Sequence, residues 1–185
     1  MIEPQSILPR ETVRLAALGF LADGPRSYSS LASEVRNFTS RYVGPTLELM
    51  TSSIEVLRQE GLITLIDPMS GPGPDALLEL SGSGKNVLIS ILSTGLQPPI
   101  NDIARLVLAL KFRFLHLLSS DMQRDQLNNI IEASKTDLTR LLDLKSKHNH
   151  DPGFLSEWLE HDIGQIEERL SWLTDFINTL EATKI

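Results

Sequence analysis

Along most of the chain, apolar positions recur with the period of an α-helix; two short runs break that rule. Pro9 to Ala22 predicts a first helix, because proline suits a first helical position and Val13, Ala17, Phe20 and Leu21 share one side. Asp23-Gly24-Pro25 stops it. Ser27-Tyr28-Ser29 reads as a short extended piece, and Ser30 as the N-cap of a second helix that turns Leu31 and Val35 inward. After a turn at Gly44-Pro45, Thr46 caps a third helix running to Glu60. Its apolar positions, Leu47, Met50, Ile54 and Leu57, form a helical stripe. Gly61 ends it as a left-handed cap would. Leu62 to Ile66 reads as a buried strand and Ala76 to Leu80 as a second. The proline- and glycine-rich stretch from Asp67 to Asp75 makes the tip of a hairpin between them.

The second half is helical throughout. A fourth helix, about Gly84 to Leu92, leads to a boundary at Thr94-Gly95-Leu96-Gln97-Pro98-Pro99. One helix then carries Ile103, Val107, Leu110, Phe114 and Leu117, and the next Leu127, Ile131, Ser134, Leu138 and Leu141. His148 to Gly153 breaks the chain before a last helix. There Leu159, Ile163, Ile166, Leu170, Leu173, Ile177 and Leu180 alternate spacings of four and three, which is a heptad seam. Phe154, Trp158, Trp172 and Phe176 form an aromatic flank beside it. A seam plus a flank is more apolar surface than a lone helix hides, so the expectation is a dimer through this seam; an intramolecular bundle of long helices is the alternative.

The element order predicts a mainly α protein with a small β-wing. Residues 1–95 would form a winged helix-turn-helix and residues 96–185 a long-helix dimerisation arm. A generic small α+β domain has the same order and stays open.

Composition narrows the picture. With 41% hydrophobic and 22% charged residues, the 185-residue chain can build a core. It has no cysteine, which excludes disulfides and thiolate metal sites. The start, Met1-Ile2-Glu3-Pro4, lacks a signal peptide's basic and apolar regions, and Leu106 to Leu118 is interrupted by Lys111, Arg113 and His116. Both point to a cytoplasmic protein without a membrane partner. The net charge is −7, and neither half is basic: seven Lys and Arg face ten Asp and Glu up to residue 95, and ten face fourteen after it. Nucleic-acid binding must therefore rest on the local placement of a few cations.

Several motifs, in order, resemble the PadR family of transcription regulators. Glu11 to Gly24 is similar to its opening helix. Leu57-Arg58-Gln59-Glu60-Gly61-Leu62-Ile63 fits its "L-x-x-x-G-L-I" end of the recognition helix. Leu78-Glu79-Leu80-Ser81-Gly82-Ser83-Gly84-Lys85 is similar to its second wing strand and the turn into helix four, and the run from Phe112 to Ser171-Trp172-Leu173 to its helical tail. The resemblance covers roughly residues 9–183 and implies a dimeric DNA-binding regulator, a repressor by expectation, which binds a flat aromatic effector. The chain departs from the pattern at Thr51, where the family has tyrosine, and carries no basic residue between Arg58 and Lys85.

On this reading the third helix enters the major groove of double-stranded DNA. Thr46, Leu49, Thr51, Ser52 and Ser53 reach base edges or phosphates, and Arg26, Tyr28, Arg41 and Lys85 clamp phosphates. An ordinary solvated Ser/Thr face is the plainer alternative, and Glu48, Glu55 and Glu60 weigh against DNA. A winged-helix dimer that has lost DNA binding and docks another protein is therefore the competing function. Trp158, Trp172 and Phe176 are the candidate effector pocket, against plain core packing. Gly82-Ser83-Gly84-Lys85 is not a phosphate loop, because Glu79 and Asn86 stand where glycine and Ser/Thr are needed. His148, His150 and Asp151 read as a solvated loop rather than a metal site. No catalytic constellation is recognisable, so neither an enzyme nor a cofactor is expected.

Overall fold

A computed structural model describes residues 9–43, 50–67, 71 and 73–182. Thr46 and Leu49, with Gly44, Pro45, Leu47 and Glu48, lie outside the described residues, and so do the side chains of Met50, Thr51, Ser52 and Ser53.

Helix α1 spans Pro9–Ala22 and buries Leu15, Ala16, Ala17 and Leu18 completely. Strand β1 is Arg26–Ser27, and α2 runs Tyr28–Val43. The helix thus begins two residues before the expected Ser30 cap. The capping oxygen belongs to Ser27, whose Oγ accepts from the Ser30 N–H at 3.2 Å. Helix α3, Met50–Gln59, turns Ile54 and Leu57 into the core.

The end of α3 explains the Leu-x-x-x-Gly-Leu-Ile pattern. Gly61 has φ of 70°, its N–H bonds Arg58 O at 3.0 Å, and the Leu62 N–H bonds Leu57 O at 2.9 Å. These two bonds make a Schellman cap, with Leu57 and Leu62 as its apolar pair. The chain passes directly into β2, Ile63–Leu65, which pairs antiparallel with β3, Leu77–Leu80. Strand β1 pairs with the other edge of β3, giving the order β1-β3-β2. The expected hairpin is present; the third strand is only two residues long, too short for a period-two pattern to reveal.

Helix α4, Gly82–Ser93, is capped by Ser81, whose Oγ accepts from Gly84 N. The break expected at 94–99 separates it from α5, Asp102–Phe114, capped by Asn101. A short 3-10 turn, Leu115–Leu117, precedes α6, Ser120–Lys147; after a break at 148–154 comes α7, Leu155–Ala182. The hydrophobic core is continuous from α1 through α5 to Leu173 of α7. Gly19 of α1 lies against the Phe114 ring of α5, so close that a Cβ there would fall 2.3 Å from the ring.

The long helices α6 and α7 pack against each other as a hairpin, with Lys145 and Glu160 paired at 3.6 Å near the turn. This corrects part of the expected dimer seam. Leu159, Ile163 and Leu173 are 4%, 6% and 1% exposed within one chain and have no surface left for a partner. A heptad seam is equally served by a neighbour in the same chain, and α6 is that neighbour. Ile166, Leu170, Ile177 and Leu180 are half-buried, and the last two pack on the core.

Candidate nucleic-acid interface

The described outer face of α3 carries Val56 and Gln59, exposed, and Glu55 and Arg58, half-exposed, with exposed Glu60 directly after it. Val56 and Gln59 were not among the expected contacts, although the stripe points to them: each falls across the helix from Ile54 and Leu57.

The acids of this helix are held by arginines. Arg58 grips Glu55 with two bonds, at 2.6 and 3.0 Å. The Arg58 hydrogen bond keeps the Glu55 carboxyl below its usual range and raises the Arg58 guanidinium. Glu60 is paired with Arg14 of α1 at 2.5 Å. Burial, and secondarily Glu55, raises the Tyr28 hydroxyl above its usual value. Tyr28 is half-buried and packs against the core.

The expected phosphate clamps divide into two kinds. Arg26 is committed to Glu34 at 2.8 Å. Arg41 at the end of α2 and Lys85 in the first turn of α4 are exposed, as is Arg36, and none of the three has an ion pair among the described residues. Arg41 stands where the chain leaves α2 toward α3. Lys85 stands near the C-terminal end of α3, because the turn before it is bonded there. Ser81 Oγ lies 2.7 Å from Gly61 O and 2.9 Å from Leu62 O, and Ser83 Oγ donates to Gly61 O at 2.9 Å. The Ser-Gly-Ser-Gly-Lys stretch, which is not a phosphate loop, is thus a clamp on the C-terminal cap of α3.

The aromatic residues of α7 do not form one pocket within the chain. Trp158 and Trp172 are fourteen positions apart on one helix, about 21 Å by the helical rise. Trp172 stacks on Phe176 with centroids 5.2 Å apart, and Phe112 of α5 lies 5.5 Å from Trp172. Among the described residues Trp158 has His161 as its one ring neighbour, at 6.1 Å, and it is 61% exposed. The candidate effector site therefore loses Trp158 and gains Phe112. A pocket of about 360 Å³ lies elsewhere, between α1, β3, α4 and the 3-10 turn, lined by Leu21, Pro25, Glu79, Lys85, Leu88 and Leu117. His148 Nδ1 and Asp151 meet at 2.7 Å, and no group of three metal-ligating residues occurs among the described residues. No helix among them is long and apolar enough to cross a membrane.

Solved structures similar to this chain include Bacillus subtilis PadR in complex with operator DNA: 19% identity over 91% of this chain and 98% of that one, TM-score 0.36. PadR in complex with p-coumaric acid is 18% identical over 94% of this chain and 98% of that one, TM-score 0.38. The smu.1604c protein of Streptococcus mutans UA159 is 19% identical over 89% of this chain and 98% of that one, TM-score 0.39. No curated protein matches the chain. Residues 3–177 match the family described as "Putative AphA-like transcriptional regulator", and the chain belongs to this family of regulators.

Proposed function

We propose that the protein is a sequence-specific DNA-binding repressor that acts as a homodimer and presents two copies of α3 to half-sites about one helical turn apart. The observation that carries this reading is the division of charge around α3. Glu55 and Glu60 are each neutralised by an arginine, Arg58 and Arg14, while Lys85 stands exposed near the C-terminal end of α3 and Arg41 exposed at the end of α2. Neutralised acids and exposed cations are the arrangement that a phosphate backbone requires. Arg41 and Lys85 serve as the clamps, and Thr46, Leu49, Thr51, Ser52 and Ser53 as the base-reading candidates, with Gln59 added from the structure.

The dimer is supported by what the helical hairpin leaves uncovered. Trp158 is 61% exposed, Trp172 50% and Leu142 47%, and Ile166 and Leu170 are half-buried. Such apolar surface is what a second copy would cover. A small aromatic effector would lie against Trp172, Phe176 and Phe112, and quenching of tryptophan emission that is lost in Trp172→Leu would place it there.

Selection of bound fragments from random DNA is the test. Enrichment of a two-fold symmetric sequence is expected, together with a dimeric mass by light scattering. Failure to enrich any sequence at low salt would leave the docking module as the better reading.

A further inference from the structure

Three consecutive backbone carbonyls close α4, and all three are bonded by side chains from the helices that follow. Nζ of Lys111, on α5, donates to Leu92 O at 2.5 Å and to Thr94 O at 2.7 Å. Nε2 of Gln126, on α6, donates to Ser93 O at 2.7 Å. The two side chains are themselves joined, Nζ donating to Gln126 Oε1 at 2.8 Å. Both are sealed from solvent, Lys111 at 1% exposure and Gln126 at 3%.

A helix end always leaves its last carbonyls without partners in the helix, and water satisfies them when they face solvent. A cation suits the negative end of the helix dipole. Taking an ammonium out of water is nonetheless expensive, and no carboxylate pairs with Lys111 among the described residues. Apolar packing would join α4 to α5 and α6 more cheaply. What the polar network adds is direction: three fixed acceptors and a planar amide admit few relative orientations.

The other end of α4 is fixed as tightly, by Ser81, Ser83 and Gly84 on the cap of α3. Between the two fasteners lie twelve helical residues, about 18 Å of rigid rod. We propose that α4 is a lever joining the recognition helix to the α6–α7 hairpin, and that Lys111 with Gln126 is the fastener that sets its angle. A shift of α6 against α5 pulls on three carbonyls at once and moves α3 at the far end. Lys111 is thus a positioning residue, acting on DNA through α4. The consequence for DNA rests on the function proposed above; the lever itself does not.

The chain has no cysteine, so Asn37→Cys and Ser171→Cys, both at exposed sites, give a clean spin-label pair. Labelled full-length protein diluted into unlabelled protein reports the distance within one chain by double electron–electron resonance. One narrow distance distribution is expected for the wild-type background. Lys111→Met and Gln126→Leu should each broaden it or add a second population while far-ultraviolet circular dichroism stays helical. Gln126→Asn, one methylene shorter, is the milder variant should the others fail to fold. A distribution unchanged in any folded variant of either residue overturns the lever. On DNA, discrimination between half-site spacings should fall about tenfold, within the usual range for coupled sites. Broadening without DNA binding at any spacing, in wild type as in the variants, would uphold the lever and refute the DNA reading.

Discussion

Gly84 packs edge-on against the carbonyl of Leu62: a Cβ on Gly84 would lie 2.0 Å from that oxygen. The oxygen cannot retreat easily, since Ser81 N and Ser81 Oγ both bond to it, at 3.1 and 2.9 Å. Gly84→Ala should therefore force β2 and α4 apart and cost about 2 kcal/mol or more, visible as a lower chemical-denaturation midpoint. Gly82, two residues earlier, has open space where a Cβ would go, so Gly82→Ala should stay within about 0.5 kcal/mol of wild type. Equal effects of the two substitutions would show that crowding at Leu62 is not the reason for glycine.

That contact also marks what was legible in the sequence. Two linear motifs, Leu57 to Ile63 and Leu78 to Lys85, each announced a turn by local chemistry, a left-handed glycine in one and a serine cap in the other. Local chemistry does not say that the two turns bond to each other. The heptad seam of α7 was equally readable, yet a period defines a face and not its partner, so Leu159, Ile163 and Leu173 are covered by their own chain. Lys111 reads along the sequence as a charge interrupting an apolar run. Its burial depends on carbonyls nineteen and seventeen residues before it and an amide fifteen after, which no local pattern contains. The cations around α3 could be named in sequence, but which of them spend their charge on a neighbouring carboxylate depends on geometry.

The stability of the fold should rise with pH above neutrality because of Lys111. Burial lowers its ammonium from 10.5 to about 7. Between those values the unfolded chain holds a proton that the folded chain has released. The cost of burying the charge is thus fully present below 7 and is relieved as pH climbs toward 10.5, offset in part because the neutral amine can donate only two of the three hydrogen bonds that Nζ makes. The slope is at most about 1.4 kcal/mol per pH unit. Urea midpoints at pH 6, 7, 8 and 9 measure it, and Lys111→Met should flatten the curve. A wild-type slope retained in Lys111→Met would assign it to other groups.

Ser134 is fully buried in α6, and its hydroxyl has no hydrogen-bond partner among the described residues. A buried hydroxyl without a partner is destabilising, and alanine is also the better helix former. Ser134→Ala should accordingly stabilise the protein by about 1 kcal/mol, raising its melting temperature. A loss of stability instead would mean that the hydroxyl is bonded in the assembled protein.

Arg41 and Arg26 offer a paired test of DNA binding, because they carry the same charge in different circumstances. Arg26 is held by Glu34 at 2.8 Å and must leave that partner, or share it, to meet a phosphate. Arg41 is exposed and without an ion pair among the described residues. Each phosphate contact displaces condensed counterions, so the slope of log affinity against log salt counts them. Arg41→Ala should lower that slope by about one and weaken selected and unselected sequences alike, since a phosphate contact carries no sequence information. Arg26→Ala should change the slope by much less. It also leaves Glu34 without its cation near the DNA, so affinity falls by repulsion while the contact number stays constant. Anisotropy titrations of wild type and both variants from 50 to 300 mM salt, concentrations spanning the range where such contacts dominate, separate the two effects. An Arg41→Ala slope equal to wild type would remove Arg41 from the interface, and the full loss of one unit in Arg26→Ala would show that the Glu34 pair opens on DNA.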